Sequence, residues 1–545
     1  MDFTRFDESK IKELHGDMYT YRKLYKGDHA EIFERAKELI EKGEVIDYLQ
    51  NGVKRGNNVK TPYLVYNISK IICDTPAMLI SRSIGEVLTN HKYQEATDEE
   101  STSEETEMLE GTQDGSINEE VIDLQQETLT QIVTNSKLKR KHKSNIVQQQ
   151  VDGGIVGVPV MKNGNVSIQF KERNVYYPHD DGLGADLVYE LDNKLDNSEN
   201  DYVHVYTERM EQEDLMVATN KLYSRNRQGE LSEVTDSNII KEVIGIDSQN
   251  LRKEFKGRRR LFIDYWANNA NFIDPLGVSE LEGQLGKQEE VNWTLTRTSQ
   301  TFERNGKPRI SITSDLFDRL ENLARDRGTD RIDHRDLEIT EMDEQGNSLK
   351  IHQIEIDKIG DIQYIKDITT AMLAETNTSK TATEIFDEKG GTASAQSGIA
   401  KFYDLFISLI KAEGLRNEYI EFLQNLFESA LWLANKNNPN IIIEKPYIET
   451  DSMIPTPKEE MDLNSINKFN SGIQSLETTI REVHIDKSDE WIESEIERIN
   501  GDKSNDDSGA LTWNRRQSLQ EILGNRSADG TPLNPDGTPV EEDEE

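Results

Sequence analysis

The sequence feature that most constrains this chain is a helical pattern running almost without a gap from residue 399 to residue 431. Large apolar residues recur three and four positions apart along it, and Gly414 is the one position where a kink is expected. At about 1.5 Å per residue, such a helix spans roughly 50 Å. Its apolar members are Ile399, Phe402, Tyr403, Phe406, Ile410, Tyr419, Phe422, Leu423, Leu426, Phe427, Ala430 and Leu431. It is the longest helical pattern in the chain.

In residues 155–265 the apolar residues alternate with polar ones, with a period of two. IVGVPVMKNGNVSIQF alternates like a hairpin, and Asn163-Gly164 supplies the positive φ angles of a tight turn. DLVYEL and DYVHVYTE continue as strands, so an antiparallel sheet is predicted here. Amphipathic helices are predicted in residues 1–50, a buried helix in YLVYNISKIICDTPAMLIS, and two more helices before Gly153-Gly154. The fold class is therefore α+β and mainly helical.

Residues 278–304 predict one long helix whose apolar stripe is sparse. The stripe consists of Leu281, Leu285, Trp293 and Phe302, which suits packing against neighbouring helices better than burial in a core. A short αβ insert follows, with a strand at PRISITS, and GDIQYIKDITTAMLAET predicts the next helix. After the longest helix, NIIIEKPYIE predicts a returning strand and two further helices complete the ordered part.

The charge of the chain limits its partners. The 64 basic and 103 acidic residues give a formal net charge of −39, so no free basic tail is available for nucleic acid. Residues 94–117 are predicted to be a solvated acidic insertion, and residues 506–545 a mostly disordered acidic tail. The densest basic cluster is Lys137, Lys139, Arg140, Lys141 and Lys143. It is either a solvated helix face that offsets the acidic neighbour or a phosphate site.

Motifs that would carry chemistry fail in this sequence. Cys73 is the one cysteine, and no pair of the nine histidines has the spacing that would direct two rings at one metal. Gly283, Gly286 and Lys287 suggest a phosphate loop, but their spacing is wrong and no Ser or Thr follows the lysine. We therefore expect no catalytic residue, no metal site and no cofactor, hence no enzyme. No run approaches 18 apolar residues, so no membrane span is expected.

The segment NTSKTATEIFDEKGGTASAQSG, which leads into the longest helix, is rich in Thr, Ser and Gly. Long loops of this kind are uncommon unless they are functional. Its lysines Lys380 and Lys389 offer two weak phosphate contacts, balanced by Glu384, Asp387 and Glu388. Glycines before the long helix allow the loop to change shape over a fixed base. An ordinary surface linker is the alternative interpretation.

The order of these elements resembles the portal proteins of tailed double-stranded DNA bacteriophages over roughly residues 5–500. The stretches that carry the resemblance are YRKLYKGDH, YLVYNISKIICDTPAMLI, GGIVGVPV, GGTASAQSGIAKFYDLF, SGIQSLETTIRE and EWIESEIERI. The acidic insertion and the polar tail depart from the family pattern. Each stretch is a loose pattern, and their order makes the resemblance specific.

The resemblance implies a portal-type subunit with named regions. The wing would comprise residues 1–275, with the long helix and returning strand in 399–458. The stem helices would be 276–305 and 358–375, flanking a clip at 306–357. The crown would be 459–505. Residues 376–398 would form a tunnel loop, whose candidate DNA-channel residues are Thr378, Ser379, Lys380, Thr381, Lys389, Gly390, Gly391 and Gly398.

The resemblance also implies a function and partners. Portal proteins form a homo-oligomeric ring of about twelve copies at one capsid vertex of the virion, through which double-stranded DNA enters and leaves without sequence-specific contacts. The partners implied are the terminase packaging motor, a head-completion adaptor, and the major capsid and scaffolding proteins, with synthesis in the bacterial cytoplasm. The alternatives are an acidic scaffold or adaptor protein without a DNA channel and, less favoured, a nucleic-acid-processing enzyme.

Overall fold

The computed structural model describes the chain with several gaps, and all structural statements below concern the described residues. These are residues 14–46, 61–92, 119–191, 201–226, 228–305, 309–312, 318, 321–322, 324–326, 328, 349–352, 362–380, 398–454, 458–484 and 489–505. Of them, 53% are helical and 22% are in strands, which confirms the mixed, mainly helical fold class. The acidic segment 94–117 and the tail 506–545 lie outside the described residues.

The chain divides into two compact units. Unit 1 comprises Met1–Thr383 and Phe406–Met453, and unit 2 comprises Glu384–Leu405 and Ile454–Glu545. The helices are, in chain order, α1 (Met18–Lys26), α2 (Glu34–Glu41), α3 (Ile68–Ser83), α4 (Glu119–Ser136), α5 (Leu138–Asp152), α6 (Ser237–Ile244), α7 (Leu285–Asn305), α8 (Ile362–Glu375), α9 (Gly398–Asn437), α10 (Lys458–Asn470), α11 (Leu476–Val483) and α12 (Asp489–Asn505).

The strands of unit 1 form several small sheets. They are β1 (Val45–Ile46), β2 (Thr61–Pro62), β3 (Ile84–Leu88), β4 (Gly154–Lys162), β5 (Asn165–Glu172), β6 (Tyr176–Pro178), β7 (Gly184–Leu191), β8 (Asp201–Gln212), β9 (Leu215–Arg225), β10 (Leu231–Glu233), β11 (Arg252–Lys256), β12 (Asp264–Ala267), β13 (Arg309–Ile312), β14 (Leu349–His352) and β15 (Tyr447–Thr450). The six-stranded sheet has the order β10-β9-β8-β7-β6, with β11 also pairing β9, and a second sheet has the order β12-β4-β5. The predicted antiparallel region is therefore two sheets.

Local turn chemistry sets many of the element boundaries. Asn163 and Gly164 have φ angles of 53° and 83°, as the predicted tight turn between β4 and β5 requires. Gly153 ends α5 in the left-handed region at φ 82°, and Gly27 ends α1 in the same way at φ 97°. The predicted turn at Asn163-Gly164 and the predicted helix end at Gly153 are confirmed, because each depends on residues only a few positions apart.

Three element boundaries differ from the sequence prediction. The helix predicted over 278–304 begins at Leu285, because residues 278–284 form turns and Gly283 has a φ of 75°. The predicted helical stretch PKEEMDLNSINKFNSGIQSLETTIREV is two helices, α10 and α11, separated at Gly472, which has a φ of 73°. The returning strand is limited to β15, which pairs antiparallel with β3.

Helix α9 forms the core of unit 1 from Ala412 onward and runs 40 residues, about 60 Å. Tyr419 is fully buried and stacks on Trp266 of β12, with ring centroids 5.1 Å apart. Gly157 of β4 lies so close to α9 that a Cβ there would be 2.4 Å from Leu426 Cδ1. The predicted apolar pattern is confirmed in this part, whereas Phe406 and Ile410 are 45% and 56% exposed.

Unit 2 contains α10, α11 and α12, and its packing is local. Ser475 caps the start of α11, because its side chain accepts a hydrogen bond from Thr478 N at 3.1 Å. Ser465 of α10 donates to the Glu482 carboxylate of α11 at 2.5 Å. Ile480 and Ile492 are buried between these helices, so unit 2 has its own small apolar contact.

Candidate functional site

The start of the predicted channel loop has a defined backbone. Helix α8 ends at Glu375, and Asn377 adopts a left-handed φ of 50°. Thr376 N donates to Met372 O at 3.2 Å, and Thr378 N donates to Leu373 O at 2.8 Å. The Thr376 hydroxyl also donates to Met372 O at 2.9 Å. The last carbonyls of α8 are therefore satisfied, and the chain leaves the helix in a fixed direction.

A reciprocal serine pair attaches this segment to the long helix. Ser379 N donates to Ser408 Oγ at 2.7 Å, and Ser408 N donates to Ser379 Oγ at 3.2 Å. Both serines are buried, at 4% and 1% exposure. A buried polar group costs free energy unless it is hydrogen-bonded. The serine pair therefore favours one position of this segment along α9.

A buried ion pair lies beside the serine pair. Lys411 Nζ of α9 donates to Glu280 Oε1 at 2.6 Å and to the carbonyl oxygen of Thr376 at 2.7 Å. The Lys411 and Glu280 side chains are 12% and 8% exposed. The other Glu280 oxygen accepts from Asn269 Nδ2 at 2.8 Å. One lysine thus links the end of α8, the turn before α7 and the long helix.

A third set of contacts links α7 to the end of α8. The Glu375 carboxylate accepts from Gln284 Nε2 at 3.0 Å and from Lys287 Nζ. The hydrogen bond from Lys287 holds the pKa of Glu375 below its usual value, with a further contribution from Gln284. The sequence analysis placed Gly283 and Gly286 in mid-helix, whereas Gly286 is the second residue of α7. Lys287 is bound to Glu375, so this glycine pair is not a phosphate loop.

Helix α7 is held to unit 1 by polar residues four positions apart. Gln288, Asn292 and Thr296, which we call the polar ladder, are each fully buried. They accept hydrogen bonds from alternate backbone N–H groups of the segment that leads into the first residue of α3. The bonds run from Leu64 N to Thr296 Oγ1 (3.0 Å), from Tyr66 N to Asn292 Oδ1 (3.2 Å) and from Ile68 N to Gln288 Oε1 (3.1 Å).

The spacing of the polar ladder is regular on both elements. Its members are four residues apart on α7, and the N–H groups whose hydrogen bonds they accept are two residues apart along the other segment. This explains how a helix with so sparse an apolar stripe is held in place, which the sequence analysis assigned to packing against neighbouring helices.

The structure places only some of the predicted loop residues. Thr378 and Ser379 are buried in the anchored base, and Lys380 is exposed. Gly398 begins α9. Thr381, Lys389, Gly390 and Gly391 lie outside the described residues. DNA contact by this loop stays a prediction. The anchors Ser408, Lys411 and Glu280 were not predicted, because single polar residues on a helix or in a turn carry no local signal.

The described residues contain neither a cluster of His, Cys, Asp and Glu that could hold a metal ion nor a helix long and apolar enough to cross a membrane. Cys73 is fully buried, and burial raises the pKa of its thiol above its ordinary value. Within the described part of the chain, the side chains at this site hold backbone in place, and none has the geometry of a nucleophile beside a base.

Three buried histidines and the half-buried His204 make the stability of unit 1 sensitive to acid. Burial lowers the pKa of His15 to about 3 and that of His142 to about 4, and it also lowers the pKa of His29 and His204. His29 shows why the neutral form is retained: Nε2 donates to Leu24 O at 2.8 Å, and Nδ1 accepts from Asn292 Nδ2 at 2.7 Å. Protonating Nδ1 would break the second bond.

We expect the free energy of unfolding to fall as the pH is lowered from 6.5 toward 5. In this window the unfolded chain binds protons that the folded histidines do not, which costs about 1.4 kcal/mol per pH unit for each histidine once it is fully protonated in the unfolded chain. Burial raises the pKa of Asp152 and Glu208, whose protonation in the folded state opposes the loss at lower pH.

Urea denaturation of unit 1 across this pH range measures the effect. His142→Phe should make the pH dependence shallower, because it removes one titrating group and keeps the aromatic contact with Tyr419. An unfolding free energy that is flat between pH 7 and pH 5 would contradict the prediction.

Comparisons with known proteins found one kind of similarity. No protein-family model matches the chain, and no curated protein matches it. Among solved structures, the chain is similar to one titled "Neck of native GTA particle computed with C12 symmetry". The sequence identity is 10% and the TM-score is 0.27, and the alignment covers 63% of this chain and 79% of that chain.

Proposed function

We propose that this chain is the subunit of a portal ring: about twelve copies enclosing a channel at one capsid vertex, through which DNA is packaged and ejected. Such a ring would be the platform for a packaging motor and head-completion proteins. The observation that carries the proposal is the anchored base of the loop segment. Ser379 and Thr376 are fixed to α9 by Ser408 and Lys411. A loop that moves around passing DNA needs a base of this kind.

The surfaces of α7, α8 and the start of α9 support a ring of subunits. Large apolar side chains are exposed there in the single chain: Phe302, Ile362, Tyr364, Phe406, Ile407 and Ile410 are between 36% and 61% exposed. Soluble monomers expose few such clusters. In a ring, the same helices of adjacent subunits would cover these side chains.

The negative charge of the chain favours the passage of DNA through a channel over the tight binding of DNA. A net charge of −39 repels the phosphates of DNA, whereas a basic wall would hold DNA by releasing its counterions. Described basic side chains are largely paired with acids, such as Arg35 with Glu290 at 2.6 Å and Arg209 with Asp181 at 2.5 Å. A conduit needs DNA to slide, and few free cations favour sliding.

Electron microscopy of the purified protein tests the ring directly. We expect negative-stain images of closed rings with a central hole. A chain that remains monomeric in light scattering at micromolar concentration, at several salt concentrations, would contradict the proposal. Oligomers without a hole would favour an acidic scaffold or adaptor. ATP or DNA hydrolysis that a single substitution abolishes would favour an enzyme.

Shortening the loop tests the channel assignment. Deleting residues 382–395 spares the anchor at Ser379, so ring assembly should be unchanged while packaging or retention of DNA is impaired. The measurement is the amount of nuclease-protected DNA per particle. A Gly/Ser replacement of equal length over the same residues is the control and should retain DNA, because the proposed contact is steric. If the deletion variant retains a full genome, the loop is only a linker.

A further inference from the structure

An apolar side-chain pair stands out from the turn between β12 and α7. Phe272 is 95% exposed and Ile273 is 71% exposed, followed by the exposed Asp274. The turn has a defined shape, because Asn271 Oδ1 accepts from Ile273 N at 2.8 Å and from Asp274 N at 2.9 Å. We call Phe272, Ile273 and Asp274 the knob. Two large apolar side chains held in water on a shaped turn are typical of a contact surface.

A concave site of matching character lies elsewhere in unit 1. A cavity of about 930 Å³ is bordered by α5, by β5 and by Tyr189 of β7. Its apolar wall is formed by Val147, Val151, Phe170 and Tyr189. A volume of this order accommodates several side chains. The cavity is therefore large enough to hold a Phe and an Ile side chain together.

The rim of the cavity carries positive charge that the described residues do not neutralise. Four basic and two acidic side chains line it. Arg22 is bound to Asp152 at 2.6 Å and to Glu172 at 2.9 Å, so both acids are already used. Arg140 and Lys171 form no ion pair with the described residues. Burial, together with the charge of Lys141, lowers the pKa of Lys171, as expected for a cation without a counter-charge.

We propose that the cavity of one copy receives the knob of a second copy. Phe272 and Ile273 would cover the apolar wall, and the Asp274 carboxylate would meet Arg140 and Lys171. Both halves belong to the same chain, and homo-oligomers bury complementary patches of this kind. A nucleic acid is a poorer occupant, because Lys171 and Lys141 already lie over the faces of Tyr189 and Phe170 on which bases would stack.

This inference rests on the proposed ring and names one contact between its subunits. It requires only that copies of the chain associate with one another. Sedimentation velocity of the full chain tests it. The double variant Phe272→Ser, Ile273→Ser should weaken self-association by about 100-fold or more, since burying each side chain contributes about tenfold or more. Leu183→Ser is the matched control. Leu183 is 50% exposed in another turn, and its replacement should leave self-association unchanged.

Two further variants test the pairing. Arg140→Glu should weaken self-association, and adding Asp274→Arg should restore it, because the charges are then exchanged. Ile273→Cys and Gln148→Cys, co-expressed on differently tagged copies, should give a disulfide-linked pair in the mixture and not in either variant alone. Gln148 lines the cavity, and the native Cys73 is fully buried and does not compete.

The outcomes separate this inference from the proposed function. If the double variant still forms rings with wild-type stability, the knob is not an interface and the ring proposal stands. If the double variant dissociates but neither the charge exchange nor the cysteine pair gives the expected result, the knob binds a different surface and the assignment of the cavity is wrong. If the wild-type chain is a monomer, both proposals fail.

Discussion

Replacing Lys411 with methionine should lower the free energy of unfolding of unit 1 by about 3–5 kcal/mol. Methionine keeps most of the volume of the lysine stem but leaves the Glu280 carboxylate without its cation in a site that is only 8% exposed. The carbonyl oxygen of Thr376 loses its hydrogen bond in the same step. Removing one partner of a buried ion pair costs more than the pair contributes, because the remaining charge stays desolvated.

Urea denaturation measures this loss, and two further variants show its origin. Glu413→Gln alters an exposed carboxylate on the same helix, 4.0 Å from Arg416, and should cost less than about 1 kcal/mol. Lys411→Met combined with Glu280→Gln should recover much of the loss, because no unpaired charge remains. A Lys411→Met variant within about 1 kcal/mol of wild type would show that water reaches Glu280 and that the base of the loop is not rigid.

The parts of the fold that the sequence predicted depend on neighbouring residues. The apolar pattern through Tyr419 and Leu431 predicted the buried part of α9, because the helical period places those residues on one face. The tight turn at Asn163-Gly164 and the helix end at Gly153 followed from backbone preferences of single residues. The exposed residues Phe406 and Ile410 show the limit of this reasoning: a periodic pattern identifies an apolar face without showing what covers it.

The polar ladder could not be predicted from the sequence. Gln288, Asn292 and Thr296 have the spacing of a buried helix face but the composition of an exposed one. They are buried because a segment more than 200 residues earlier presents its N–H groups to them. No pattern within α7 reports that partner. Leu281, assigned to the helical stripe, is fully buried in the turn before α7.

The candidate site was predicted from the Thr, Ser and Gly content of residues 376–398. The structure describes only its first residues, 376–380, and Gly398, so the rest of the loop stays a prediction. Its anchors were missed because Lys411 and Glu280 are 131 residues apart and are two charges among 167. The basic cluster at 137–143 does not behave as a single solvated face. Lys139 and Lys143 lie near Glu86 and Asp74, as for a solvated face, and Arg140 and Lys143 also border the cavity.

A second buried carboxylate joins the six-stranded sheet to the segment before β12. Glu208 of β8 is fully buried, and one of its oxygens accepts from Phe262 N at 2.7 Å and Ile263 N at 2.9 Å. The other oxygen accepts from the Tyr206 hydroxyl at 2.6 Å. Arg258, 2% exposed, supplies opposite charge nearby and donates to Ser429 Oγ of α9 at 2.6 Å. The sheet, this segment and α9 therefore share one polar network.

Replacing Glu208 with alanine should lower the free energy of unfolding by about 3–5 kcal/mol. Two buried N–H groups and a hydroxyl lose their acceptor, and Arg258 loses a counter-charge. Urea denaturation measures the total, and faster hydrogen exchange at Phe262 and Ile263 locates it. Glu211→Ala, on the same strand but at an exposed pair with Arg252, should cost less than about 1 kcal/mol.

Glu208→Gln separates charge from hydrogen bonding. Glutamine keeps an acceptor oxygen for the two N–H groups but removes the charge that Arg258 faces. Burial raises the pKa of Glu208, so the folded state disfavours its charged form, and the glutamine variant avoids that cost. Because it keeps an acceptor but loses the charge that faces Arg258, the glutamine variant should lie between wild type and Glu208→Ala, and its stability should depend less on pH above the ordinary pKa of a glutamate. If alanine and glutamine cost equally, the charge pairing with Arg258 holds this part of the sheet, and the hydrogen bonds from the two N–H groups contribute little.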